Sequence, residues 1–486
     1  MEEKTLKLIP TIGMETHVEL KTDSKMFCSC RVEDSASPNT NLCPTCLGLP
    51  GALPVPNKRA IEMITLIGVS LNCEITQKGM FHRKNYFYPD LPKNYQISQF
   101  DFPIGTGGSL QIVVERELSD VEIERVHMEE DTGKSLHAGG GRIDTAEYTL
   151  LDFNRSGVPL VEIVTKPVIK NAKEAVAYIE ELRQLVIDID ISHGKLELGN
   201  LRFDANISVA NEKDIELGVK VEIKNMNSLK SLERAINYEV NRQSRLLEKN
   251  EKIIQETRHW DEKLKKTISM RTKEGSADYR YFSDPDIPNM NLTKEFINQA
   301  VKNISELPKE RRERYISLGL ALDESNHISK SEKWVRELFE DTYIHVTNVR
   351  SAYLWTTGEL LGQLRKLNIL SNPEHLNGQN LGELISLVDE DKISSSTGKA
   401  ILTKLIQNDL SPIEYATSNN LVQENDEDYI TDLILQVLDS NVEIIERISF
   451  GEDKLISFLV GEVMKESTLS VNPALVRELI VKKIMQ

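Results

Sequence analysis

Near Leu292 the spacing of apolar residues in this chain changes, and that change limits what it can fold into. Before it, segments such as 6–20 (LKLIPTIGMETHVEL), 195–209 (KLELGNLRFDANISV) and 220–228 (KVEIKNMNS) place every second residue on one face, the period of a β-strand. Between them lie one-faced helical patterns at 58–71, 171–186 and 229–247. After Leu292 strand patterns nearly vanish, Gly and Pro thin out, and helical periodicity runs through 294–318 and 332–343. The order predicts an α+β fold, with a mostly antiparallel sheet domain over 1–291 followed by helices. A break at Ser411-Pro412 and the acidic run 424–428 further divide the helical part into a middle domain, 292–411, and a small tail domain, 412–486. A length of 486 residues suits roughly two to four domains.

Acidic residues are concentrated where the sheet pattern is strongest. The stretch HMEEDTGKS places His127, Glu129, Glu130 and Asp131 together; a Gly-rich tip at 139–141 and the run YTLLDFNRSGVPLVEIV from Tyr148 follow. This reads as a β-hairpin whose strands Tyr148–Phe153 and Val158–Val164 carry Asp152 and Glu162. Two such carboxylates about 4 Å apart repel by roughly 1 kcal/mol in water and by several at a drier surface. Hard divalent cations such as Mg²⁺ remove that repulsion by taking carboxylate oxygens as ligands. The alternation at 14–19 adds Glu15, His17 and Glu19 on one strand face, with Met14, Thr16 and Val18 on the other. Likewise Arg202, Asp204 and Asn206 share a face, and so do Glu222 and Lys224. Each face taken alone is equally a wet sheet surface.

A Walker-type phosphate loop is excluded. Gly133-Lys134-Ser135 has Met128 where the motif needs its first glycine, and Gly398-Lys399 has Ile393 there and Ala400 after the lysine.

Four of the five cysteines are patterned: Cys28 and Cys30 form a C-x-C pair, and Cys43-Pro-Thr-Cys46 follows. That spacing predicts a structural Zn²⁺ held by four thiolates, whereas Cys73 reads as a core thiol. The net charge of −17 offers no global attraction for a polyanion, so nucleic acid would need local basic patches. One is 81–100, where Arg83, Lys84 and Lys93 alternate with Tyr86, Phe87, Tyr88 and Tyr95. Such rings can stack on bases while the cations meet phosphates, or simply pack on a sheet. Neither a leader-like start nor a run of roughly 18 apolar residues is present, so a cytoplasmic protein with no membrane partner is expected.

In this order the stretches METHVEL at 14, RKNYFYPDLPKNYQISQFDFPIG at 83, HMEEDTGKS at 127, LRFDANIS at 201, QETR at 255, DYRYF at 278 and FLVGEVMK at 458 make the chain resemble, over essentially its whole length, the B-subunit (GatB) family of aspartyl/glutamyl-tRNA(Asn/Gln) amidotransferases. Departures from the family pattern, at Thr16, Leu198, Asn200 and Ser283, touch none of the acids. The resemblance implies a cradle-shaped catalytic domain, a helical domain and a tail that recognises tRNA. It also implies ATP-dependent phosphorylation of the side-chain carboxylate of Glu or Asp carried on tRNA(Gln) or tRNA(Asn), then amidation by ammonia from a partner amidase (A) subunit, with a small C subunit. On that basis Glu15, His17, Glu129 and Glu130, with Asp204 as an addition, are the expected Mg²⁺ ligands. Arg202 and Lys224 are expected to hold phosphate. Lys84 and Lys93 are expected either to line the ammonia route or to touch the acceptor end. The rival reading is a non-catalytic tRNA-binding subunit whose acids are structural, and a third is a free-standing ligase.

Overall fold

The computed structural model describes the chain except residues 1–6, 34–35, 140–145, 273–278, 303, 370, 424–426, 450–451, 468–470 and 485–486. It divides into two compact units, 1–311 and 312–486. The first is α+β and the second is helical, as the change of periodicity requires.

The first unit is built on a ten-stranded sheet. Its strands used below are β1 (Leu8–Glu19), β4 (Glu117–Glu130), β5 (Pro159–Thr165), β6 (Leu201–Asn211), β7 (Val221–Lys224), β8 (Glu256–Asp261) and β9 (Lys266–Thr272), in spatial order β9-β8-β7-β6-β1-β5-β4. A separate sheet contains β2 (His82–Asn85) and β3 (Tyr95–Ser98). Within this series only the β7–β8 pair is parallel. The hairpin read at 127–164 exists in two tiers: β4 pairs with β5 in the main sheet, and between them Lys134–Ala138 pairs with Tyr148–Asp152 as a separate ribbon. Its tip beyond Gly139 lies outside the described residues. Lys134 therefore begins a strand, and Lys399 lies inside the helix Ser395–Gln407; neither follows a phosphate loop at a helix start.

One face of the sheet is sealed. Met14 and Val18 of β1, Val126 and Met128 of β4, Val161 and Ile163 of β5, and Phe203, Ala205 and Ile207 of β6 are all buried in one apolar core. Helices α2 (Ala172–Asp188) and α3 (Leu229–Glu248) belong to the same core and pack on each other. Each starts at a polar cap: the Asn171 side chain accepts from the Glu174 N–H, and Ser228 from the Ser231 N–H. Strand alternation then forces the neighbours of these core residues onto the opposite face.

The first unit extends beyond Leu292, because Lys294–Val301, a helix capped by Thr293, packs on α1 (Lys58–Ser70). In the helical unit, apolar clusters occupy 315–352 and 338–416, and a third, from Ile430 to Ile480, belongs to the tail. No helix is long and apolar enough to cross a membrane among the described residues.

Candidate active site

Register brings the polar residues of four strands into two rows across the open face. In the first, Arg202 of β6 lies beside His17 of β1, His17 beside Glu162 of β5, and Glu162 beside His127 of β4. The second row carries Glu15 beside Asp204. Glu129 lies two residues beyond His127 and so on the same face. All these side chains project from strand interiors, which holds them more firmly than a loop would.

The acids resolve into two donor groups, in each of which the ligating atoms lie within 4.8 Å of one another: His17, Glu129 and Glu162, and Glu15, Asp204 and Glu222. In the first, His17 Nε2 is 3.5 Å from Glu162 Oε2 and 3.9 Å from Glu129 Oε2, and His127 Nε2 is 3.1 Å from Glu162 Oε2. Glu129 also faces Lys84 Nζ at 3.4 Å and accepts hydrogen bonds from Ser98 Oγ and Gln96 Nε2. Burial opposes charge on both carboxylates. The Lys84 ammonium and His127 nevertheless take Glu129 down to about 2, and His127 and His17 hold Glu162 well below the usual range. Burial likewise opposes the imidazoliums, but Glu162 and Glu129 together outweigh it and His127 rises to about 9.

In the second group Lys224 Nζ is 2.6 Å from Asp204 Oδ2 and 3.5 Å from Glu222 Oε1. Asn206 Nδ2 donates to Glu15 Oε1 at 2.7 Å. A cleft of about 800 Å³ is lined by residues including His17, Lys84, Tyr86, Glu129, Arg202, Asp204 and Lys224. Arg202 leans on buried Asp131 at 2.8 Å, yet its buried Nε has no hydrogen-bond partner, and neither do His127 Nδ1 and Asn206 Oδ1. Unpartnered buried polar atoms beside clustered acids mark a site built for a polar ligand. Its oxygen and imidazole donors suit a hard divalent cation.

The single ligand set expected from the sequence is thus rearranged. His17 and Glu129 meet, Glu15 joins Asp204 instead, and Glu130 belongs to neither group. Following Glu129 on the strand, Glu130 pairs with Lys93 and accepts from the Ile97 N–H at 2.9 Å; both side chains line a second cavity of about 260 Å³. Asp152 is also elsewhere, accepting from the backbone N–H groups of Asn39 and Asn154. Glu162 and Glu222 complete the two groups, and neither stood among the expected ligands. Both occur in the tripeptide Val-Glu-Ile, at 161–163 and 221–223. An acid between two β-branched residues of a buried strand was the available signal.

The cysteine knuckle borders the second cavity. Cys28, Cys30, Cys43 and Cys46 bring their sulfurs within 4.8 Å of one another, close to the edge of about 3.8 Å that a tetrahedron of Zn–S bonds requires. Cys46 Sγ accepts from the Cys43 N–H at 3.1 Å. The hydrogen bond from Cys28, with that N–H and nearby Lys25, takes the Cys46 thiol down to about 4 against the effect of burial. The same hydrogen bond pushes Cys28 up and burial takes Cys30 up to about 11, so one thiolate, at Cys46, is favoured before any metal binds. Cys73 is separate, with its sulfur 2.8 Å from the Gly107 carbonyl.

The GatB/GatE catalytic domain family matches residues 10–298, and the GatB domain family matches 337–484. The chain belongs to the GatB family. It is 41% identical to the B subunit of the aspartyl/glutamyl-tRNA(Asn/Gln) amidotransferase of Persephonella marina, across 97% of this chain and 98% of that one. The same-named protein of Clostridium novyi is 42% identical with the same coverage. The chloroplastic/mitochondrial B subunit of the glutamyl-tRNA(Gln) amidotransferase of Physcomitrium patens is 41% identical over 97% of this chain and 85% of its own length. The first domain match spans both donor groups, the cleft and the cysteine knuckle.

Proposed function

We propose that this GatB-family chain is the catalytic subunit of a tRNA-dependent amidotransferase that uses ATP to make Gln-tRNA(Gln), Asn-tRNA(Asn) or both. The observation that carries the reading is a cleft whose lining takes His17 and Glu129 from the first donor group and Asp204 from the second, together with Lys84, Arg202 and Lys224. Phosphoryl transfer rests mainly on positioning and on neutralising charge, and this arrangement is equipped for both. The side-chain carboxylate of the aminoacyl-tRNA attacks the γ-phosphorus of ATP, giving an acyl phosphate and ADP. Ammonia then adds at the acyl carbon and phosphate leaves, giving the amide.

His17, Glu129 and Glu162 would hold one Mg²⁺, and Glu15, Asp204 and Glu222 a second. Bound there, the cations supply Lewis-acid neutralisation of the transferred phosphoryl group. To act as a ligand, His17 must first give up the proton that its acidic neighbours stabilise. Arg202 and Lys224, which both line the cleft, would hold phosphate oxygens. Lys84 lies in the cleft and serves the acyl end of the substrate. Lys93, beside Glu130 in the smaller cavity, serves the ammonia route from a partner amidase subunit, with a small C subunit completing the complex. A purely structural acidic cluster is disfavoured by the cost of holding carboxylates and imidazoliums in a buried group beside a polar cleft. The deciding assay offers the reconstituted complex each misacylated tRNA and follows phosphate release and amide formation separately. A complex that binds tRNA but releases no phosphate would support the non-catalytic reading.

Two further expectations arise here. Zn²⁺ at the four cysteines should purify with the chain at about one equivalent by metal analysis. Less than about a tenth of an equivalent, with four freely titrating thiols, would remove that assignment. The tail, 412–486, has its own apolar cluster, and Lys465, Arg477, Lys482 and Lys483 lie on its last two helices. Its deletion should raise the KM for tRNA by about tenfold, one or two phosphate contacts' worth, while glutamine hydrolysis by the complex survives. Unchanged tRNA kinetics would exclude a recognition role.

A further inference from the structure

The segment Tyr279-Arg280-Tyr281-Phe282 has no part in the chemistry above, yet it is fixed beside the cleft. Asn85 Nδ2 donates to the carbonyls of Tyr279, at 3.2 Å, and Arg280, at 2.9 Å. Phe282 and Ser283 pair with β2. Arg83, whose guanidinium lies 4.3 Å from the centre of the Tyr95 ring, anchors the following turn through buried Asp284 at 2.8 Å.

The rings held in this way make a continuous row. Tyr86, which lines the cleft, meets Tyr279 edge-on at 6.0 Å; Tyr279 meets Tyr281 at 6.1 Å; and Tyr281 stacks on Phe100 at 4.3 Å with 11° between the ring planes. Lys84 joins the row to the site, with its Nζ 5.5 Å from the centre of the Tyr279 ring and 3.4 Å from Glu129 Oε1. The outer end is open: Phe100 is 46% exposed, and Arg280, between the two tyrosines, is exposed as well. A row of aromatic faces beside an exposed guanidinium matches the base and phosphate of a nucleotide.

We infer that the Phe100–Tyr281 pair is the stacking platform for the 3′-terminal nucleobase of the aminoacylated RNA, with Arg280 against the adjoining phosphate. The inference rests on the reading of the cleft as the amidation site. The open outer end selects this base over the adenine of ATP: the terminal nucleotide stays joined to an RNA chain that must leave the cleft, and Phe100 and Arg280 are exposed at the end of the row where that chain would leave.

The test uses the reconstituted complex and a tRNA transcript with 2-aminopurine in place of its terminal adenine. Stacking should quench the fluorescence on binding to the wild-type complex. Phe100→Leu and Tyr281→Leu should abolish the quench, and Phe100→Trp should keep it. In steady-state assays with natural aminoacyl-tRNA the two leucine variants should raise the KM for RNA roughly 5- to 100-fold, the usual range for one lost stacking partner, with the KM for ATP within about twofold of wild type. Phe100 is half exposed, so its leucine variant should fold, and an unchanged thermal transition verifies this. A persistent quench in both leucine variants overturns the inference, as does a rise in the KM for ATP with the KM for RNA unchanged, which assigns the rings to ATP. The quench is read without turnover. A wild-type complex that quenches but does not amidate therefore removes the functional reading and leaves the platform standing.

Discussion

Glu129→Gln is expected to reduce ATP-dependent amidation by about a thousandfold, the range seen when a single preorganised electrostatic contact to a transition state is removed. The amide keeps the shape and can still accept from Ser98 and Lys84, but it cannot supply the negative charge that His17 and Lys84 share and that a divalent cation there would need. The loss should appear in phosphate release as well as in amide formation, since charge neutralisation acts on the first step. Glu162→Gln should behave alike, because its carboxylate faces both histidines. Stability should fall too. Glu129 is 2% exposed, and removing one member of a buried charged group leaves its partners uncompensated. The activity comparison is therefore made at a temperature where thermal unfolding shows the variant folded. ATP cleavage at the wild-type rate in both variants would exclude this group from the chemistry.

Lys93→Met is expected to destabilise the first compact unit by about 3–5 kcal/mol, the usual result of removing one partner from a buried ion pair. The side chains of Lys93 and Glu130 are 6% and 3% exposed, so bulk water screens the pair little and replaces the lost ammonium poorly. The double variant Lys93→Met/Glu130→Gln should recover most of the loss. The glutamine is neutral, and its carbonyl oxygen still accepts from the Ile97 N–H that Glu130 satisfies. Glu130→Leu in its place would leave that buried N–H unpaired, at about 1–3 kcal/mol. Urea unfolding of the four chains of this cycle, followed by a probe in the first unit, measures the coupling. A single Lys93→Met variant as stable as wild type would mean that the pair is solvated. If Lys93 also serves the ammonia route, the double variant should remain deficient in glutamine-dependent amidation after its stability is restored.

The acids could be read as a functional cluster only in part. Alternation along β1 assigned Glu15 and His17 to one face, and alternation along β6 and β7 did the same for Arg202, Asp204, Glu222 and Lys224, as the structure bears out. Charge density singled out 127–131. What alternation leaves undetermined is which strand lies beside which, and at what register. A shift of two residues in the β1–β5 pairing would keep every side chain on its face and yet place Glu162 opposite Glu15 or Glu19 instead of His17. The expected ligand set treated Glu129 and Glu130 as equivalent, although neighbours in a strand point to opposite faces.

By itself, then, the sequence determined the local quantities: the period that makes 1–291 sheet-rich and the rest helical, the residues that share a face, and the spacing that brings four cysteines into one knuckle. These follow from backbone geometry within a few residues. Tertiary structure alone decided the division of the acids into two groups, the partnership of Glu130 with Lys93, and the alignment of Tyr86, Tyr279, Tyr281 and Phe100 into one row. Each depends on register or packing between segments separated in sequence by tens to hundreds of residues, and such pairings are selected by burial of the whole sheet face, not by the residues that meet.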